Sequence, residues 1–184
     1  MKSLQNKTKL LIVLSLVAGL TFQCEKKEEE DMTPLLALAA LTTSAGDCSV
    51  STAGKSTINT WTTDVTGTTS GTISKLGSVP IVAHSTAAIK LTADGTTSLA
   101  VTGSAFIIVY KTSACPLATS NLAVRTTDYS ITGGADSASE FPESWKITNQ
   151  TATITLNGSN GYYVFLYAIP RNGQSAGVTY TFNQ

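Results

Sequence analysis

The last three-quarters of this chain predict an all-β domain, an antiparallel β-sandwich. Three observations carry that expectation. The composition is rich in Thr, Ser, Gly and β-branched residues and only 13% charged, which suits strands and turns. From Ser85 onward apolar residues recur with a period near two, not 3.6. Gly- and Asn-containing turns separate the runs at roughly 8–15 residues, with no convincing amphipathic helix between them.

The elements follow in order. Ala87, Ile89 and Leu91 fall on one face, with Lys90 and Thr92 facing away. Asp94-Gly95 supplies a turn and Leu99 and Val101 resume the inward set, so residues 86–102 read as a hairpin. Residues 105–110 (AFIIVY) are apolar at every position, as in a strand buried on both faces. Residues 111–116 end that strand and carry Cys115. Leu122 and Val124 suggest a short strand, and Tyr129 and Ile131 another. Residues 133–143 are a loop of small and acidic residues. Trp145 and Ile147 restart the alternation, and Ala152, Ile154 and Leu156 continue it. Asn157-Gly158 and Asn160-Gly161 mark a tight connection into residues 162–169, a strand that Pro170 should end. Val178, Tyr180 and Phe182 close the chain on one face.

The segment Gly161-Tyr162-Tyr163-Val164-Phe165-Leu166-Tyr167, followed by Val178-Thr179-Tyr180-Thr181-Phe182, resembles the end of bacterial pre-peptidase C-terminal domains. Residues 105–111 match their central strand, although Ser104-Ala105 stand where that family often has acidic residues. The resemblance spans residues 85–184, implies a jelly-roll-like sandwich and transfers no ligand site.

The N-terminus predicts an address. Lys2, Lys7 and Lys9 precede a 13-residue apolar run at residues 10–22, too short for a bilayer-spanning helix of about 20 residues but suited to a secretory signal. Cys24 closes it, and the seven residues after Cys24 are all charged. This predicts a lipoprotein signal peptide at 1–23, with cleavage before Cys24 and acyl chains on its sulfur. The alternatives are an ordinary signal peptide cleaved near Val17-Ala18-Gly19, or an uncleaved anchor. The Leu20-Thr21-Phe22-Gln23-Cys24 box is looser than the commonest lipobox, and a charged tether, a Leu/Ala run at 35–41 and a second cysteine, Cys48, follow. In this the first 48 residues resemble lipoproteins of leptospiral spirochaetes. The expected organisation is a signal peptide at 1–23, a lipidated tether at 24–47 and a β-sandwich at 48–184. The Leu/Ala run reads as a short helix that packs on the domain or lies at the lipid surface.

With Cys24 assigned to lipid, Cys48 and Cys115 form an even pair in an exported protein, which favours a disulfide over two free thiols. Without residues 1–23 the chain carries 9 basic and 12 acidic residues, and beyond residue 44 the balance is 7 against 7. No basic patch remains for nucleic acid.

No catalytic constellation is legible. Ala53-Gly54-Lys55-Ser56 ends like a phosphate loop, but that motif needs Gly where Ser49 stands. His84 is the chain's one histidine; a hydrolase could use it, yet it has neither a nucleophile elbow nor partners at recognisable spacing, and reads as a strand-end residue. Zinc lacks ligands. Asp128, Asp136, Glu140 and Glu143 offer carboxylates for calcium at no EF-hand spacing, the alternative being solvated loop charges. Tyr162, Tyr163, Tyr167, Tyr180, Trp61 and Trp145 are candidates for sugar stacking or protein recognition, and one face of the 162–167 strand must be core. The expected function is a non-catalytic lipoprotein of the bacterial outer membrane, without cofactor, acting as a surface or periplasmic interaction module for a protein or glycan. A carbohydrate-binding envelope module and an envelope hydrolase are the alternatives.

Overall fold

The computed structural model describes residues 46–51, 56–79, 82–95 and 97–184. The expected signal segment, Cys24, the Leu/Ala run, all of the expected tether but Gly46 and Asp47, and Ala53-Gly54-Lys55 lie outside the described residues. What is described is a sandwich-like all-β fold: 13 strands, two single-turn 3₁₀ segments (Thr119–Asn121 and Pro170–Asn172) and no α-helix among those residues.

The strands are β1 Cys48–Ser51, β2 Ile58–Thr60, β3 Thr62–Val65, β4 Thr69–Thr72, β5 Gly77–Val79, β6 His84–Thr92 and β7 Ser98–Lys111. They continue as β8 Leu117–Ala118, β9 Tyr129–Thr132, β10 Ala135–Asp136, β11 Trp145–Leu156, β12 Gly161–Ala168 and β13 Thr179–Asn183. A large sheet runs β10-β11-β7-β12-β6-β3, with β13 joining β7 to β4, β5 on β6 and β9 on β11. A small sheet has the order β2-β1-β8.

β7 organises the large sheet. Its 14 residues pair with β11 on one side; on the other, Ser98–Thr102 pair with β13 and Phe106–Lys111 pair with β12. One strand therefore belongs to both halves of the sandwich. Leu99 and Val101 from its first half meet Ile107 and Val109 from its second in one core, together with Ile89, Ile154, Leu166 and Phe182.

Gly103 sits between the two halves with φ +153, a backbone region that essentially only glycine adopts. A Cβ there would lie 3.0 Å from Val178 Cγ1. Gly103→Ala is expected to destabilise the domain by about 1–3 kcal/mol, read as a lower urea midpoint. An unchanged midpoint would mean that β7 needs no special backbone at this point.

Opposite Gly103 the ladder slips. The β11–β7 register shifts between Ile147 and Gln150, where Asn149 has φ +49. The side chain of Ser104 holds this bulge: its Oγ accepts from the Asn149 N–H at 2.8 Å and donates to Asn149 Oδ1 at 2.9 Å. The slip moves the inward set from Ile147 to Ala152, from odd to even positions, and keeps both stretches facing the same core.

The second face of the β6-β12-β7 region is also covered. Phe106, Ile108, Tyr110, Tyr163, Phe165 and Tyr167 pack under Cys48, Val50 and Leu117 of the small sheet. That is why β12 and the second half of β7 are apolar at successive positions. A disulfide joins Cys48 to Cys115 with Cα atoms 5.5 Å apart, tying the start of β1 to the segment between β7 and β8.

Three expectations are corrected. β6 and β7 form no hairpin with each other: β12 lies between them and pairs with both. A central position suits β12, apolar on both faces, better than an edge. Leu122 and Val124 form no strand; Leu122 makes one bridge to Tyr110, Ala123 N–H bonds Val109 O, and Val124 is exposed. The sheets are not wholly antiparallel, since β1–β8 and β3–β6 run parallel.

Candidate functional site

The aromatic face of β12 ends in an opening. Beyond the small sheet, Phe165 and Tyr167 line a half-open cavity of about 250 Å³ with Ile58, Val79, Val82 and Phe141. Ser56 contributes the polar lining. Strand alternation places Phe165 and Tyr167 together, and Ile58 reaches them because β2 is the outer strand of the small sheet. Phe141 arrives from the acidic loop, its ring 4.6 Å from that of Tyr167 and 5.3 Å from that of Phe106. Val82, 49% exposed, forms part of the rim. The site can hold apolar groups, and its one lining hydroxyl outside Tyr167 gives little polar specificity.

His84 stands behind this cavity. It opens β6 opposite Val79, the strand-end place the sequence predicts. Its Nδ1 hydrogen-bonds the Tyr167 hydroxyl, and its Nε2 is buried without a hydrogen-bond partner among the described residues. Burial first, and then the Arg171 guanidinium, push its pKa below the ordinary histidine value, so the ring is neutral at pH 7. Burial pushes the Tyr167 hydroxyl up. A general base needs a nitrogen that reaches substrate; here one nitrogen is engaged and the other enclosed.

None of the four calcium candidates lines this cavity, and each meets a cation. Lys111 Nζ reaches Asp128 Oδ1 at 2.7 Å, and the Val124 N–H donates to its Oδ2 at 2.8 Å. Arg125 joins Asp136 at 2.6 Å and Glu143 at 2.7 Å, while Lys146 stands 3.9 Å from Glu140. Arg125 also stacks 4.4 Å over the Trp145 ring, whose Nε1–H donates to the Tyr129 hydroxyl at 3.0 Å. This arrangement is a brace for the 133–143 loop, and among the described residues no three ligating side chains gather for a metal.

Asp128 links that region to the core. The single proton of the Tyr162 hydroxyl is shared between the backbone carbonyls of Asn157 at 2.7 Å and Asp128 at 3.1 Å. The hydrogen bond from Lys111, and then that from Val124, hold the Asp128 carboxyl below the usual aspartate range against an opposing burial effect. A depressed folded-state pKa stabilises above the unfolded value and the contribution is lost as pH falls through the folded one. Asp128→Asn should therefore lower the urea midpoint at neutral pH, and its gap from the wild type should close in acid. A gap that persists at full size in acid would assign the loss to packing instead.

Among the aromatic candidates, Tyr162, Tyr163 and Tyr167 are buried: both faces of β12 are core, where the sequence required one. Trp145 is covered by Arg125. Trp61 is half-buried with Lys75 Nζ 5.6 Å from its ring centre, and Tyr180 is half-buried beside Gly71. Those two are what remains for ring stacking with a sugar.

The cavity itself was not legible in the sequence. Its walls come from separate segments, and the one local sign was Phe141, a lone aromatic in a loop of small and acidic residues. Compared with known protein families, curated proteins and solved structures, the chain matches none.

Proposed function

We propose that this chain is a non-catalytic bacterial lipoprotein, held at the outer membrane by acyl chains on Cys24, whose β-sandwich is a surface or periplasmic interaction module. One observation carries the reading. Of three cysteines, Cys48 and Cys115 are bonded to each other, which leaves Cys24 alone at the end of an apolar, signal-like run. A single acyl chain binds a membrane only marginally, and each further buried methylene adds about 0.8 kcal/mol, so a multiply acylated Cys24 would hold the domain firmly. The buried Nε2 of His84, with Nδ1 bonded to Tyr167, supports a binding role over a hydrolase built on that residue.

Metabolic labelling with a fatty acid tests the anchor. The native chain should take up label and Cys24→Ala should not; equal labelling of both would overturn the reading. Protease accessibility on intact cells then decides which side of the envelope carries the domain.

A further inference from the structure

We infer that a second, polar cavity beside the β11 bulge binds a carboxylated sugar, one ring of the uronic or sialic acid kind. The inference rests on the reading of the domain as an interaction module and names what that module takes up.

The bulge builds the site. Along a regular strand neighbouring side chains point to opposite faces. Here Lys146, Thr148 and Asn149 of β11 all line one cavity of about 310 Å³. The register shift between Ile147 and Gln150 brings Asn149 to the side of the other two. Asn149 takes φ +49 there, a region that asparagine adopts more readily than most residues. Asn172, Gly173 and Gln174, from the turn after β12, complete the wall, and none of these residues lines the apolar cavity.

The groups left free are donors. The Asn149 Oδ1 accepts from the Ser104 hydroxyl at 2.9 Å, and the Gln174 Oε1 accepts from the Ile169 N–H at 3.0 Å. Each carboxamide has its oxygen engaged, and its NH2 group makes no hydrogen bond among the described residues. Gln174 is buried, yet its Nε2 is not sealed from solvent. Lys146 adds an ammonium 3.9 Å from Glu140, too far for a hydrogen bond, and 5.4 Å from the centre of the Phe106 ring. A carboxylate is acceptor-only, so two NH2 groups and an ammonium suit it. The side chains of Thr148 and Asn172 make no hydrogen bond among the described residues, and each can donate to or accept from a ring hydroxyl.

The lining sets the rest of the ligand. Every side chain on it is polar, which fits a ring carrying hydroxyls and gives an apolar group no wall. The volume lies at the low end of the roughly 300–1,000 Å³ usual for small-ligand sites, enough for one sugar ring.

The test uses the full chain, isotope-labelled and held in detergent micelles, titrated at pH 7 with glucuronate and with N-acetylneuraminate. At least one of these acids should move the side-chain amide signals of Asn149 and Gln174, and neither glucose nor galactose should. Asn149→Asp and Gln174→Glu keep the engaged oxygen and replace the NH2 group by an acceptor. Each, read on the other residue's amide, should weaken binding about tenfold or more, as loss of a hydrogen bond to a charged group does. Lys146→Met should weaken it likewise while keeping a stem over Phe106. Signals that stay in place with both acids overturn the proposal, as do neutral sugars that bind as tightly or variants that bind like the native chain. Acetate or N-acetylalanine binding as tightly as the sugar acids would mark a site for a bare carboxylate and overturn it too. The comparison of acids with neutral sugars needs no variant, so it stands even where a variant fails to fold. Fatty-acid labelling of Cys24 is read separately, and either result can fail without the other.

Discussion

Replacing Cys48 and Cys115 together by alanine is expected to lower the stability of the domain by about 4 kcal/mol. The bond spans 67 residues, and a cross-link of that length removes much of the freedom of the unfolded chain. Net stabilities of single domains are about 5–15 kcal/mol, so the loss is a large fraction of the whole. The replacement also trims a packed region, since Cys48 is buried against the Tyr110 and Phe165 cluster. Urea unfolding of native and reduced protein, compared with the double variant, separates the two contributions. Reduction leaves the sulfurs in place and reports the cross-link; the variant adds the packing loss. Identical midpoints for native, reduced and variant protein would show that the small sheet holds on β7 and β12 without the bond.

Phe182→Ala should cost about 3–5 kcal/mol, the usual range for a fully buried phenylalanine. Phe182 has 0% exposure and lies on β13, whose register places it beside Leu99 of β7 and Thr69 of β4. Removing the ring leaves space in the core shared by both halves of the sandwich, which β4 and β13 are poorly placed to collapse into because each is fixed by its ladder. The measurement is a urea midpoint with an unchanged dependence on denaturant. A cost below about 1 kcal/mol, the scale of an ordinary substitution, would mean that β13 frays at no consequence to the core. Phe182 and the disulfide belong to opposite faces of the central strands. Effects at separated sites add, so combining the changes should bring many domains of this size to the edge of unfolding.

How much of this was legible beforehand depends on whether the signal was local. Alternation is local, and it located the inward residues Ala87, Ile89 and Leu91, Ala152, Ile154 and Leu156, and Val178 and Phe182. Continuous apolarity at 105–110 marked a strand covered on both sides, as the structure has it. With Cys24 set aside, the remaining pair of cysteines pointed to the bond that is present. Pairing partners were another matter. Asp94-Gly95 is a sound turn, but a turn does not say whether the strands it joins are neighbours, and the apolar faces of β12 drew it in between. Leu122 and Val124 showed alternation over too few residues to distinguish a strand from a crossing that touches Tyr110 once. The small sheet was missed because β1, β2 and β8 have four, three and two residues, too short for periodicity to register. The cavity depends on that sheet, so it went unseen with it. The acidic residues were found, while their partners Lys111, Arg125 and Lys146, which decide what those acids do, come from other segments.

The position of the disulfide has a mechanical consequence. Cys48 is the first residue of β1, so tension applied through the chain that precedes it arrives at a covalent link before it meets a complete strand. That link passes the load directly to Cys115, beyond the end of β7. The 66 residues enclosed between the two cysteines, with six of the 13 strands wholly inside, are bypassed and cannot be drawn out as slack. A pull on that end would be borne by the chain from Cys115 onward, and the 66 enclosed residues, about half of the domain, would ride along unstretched.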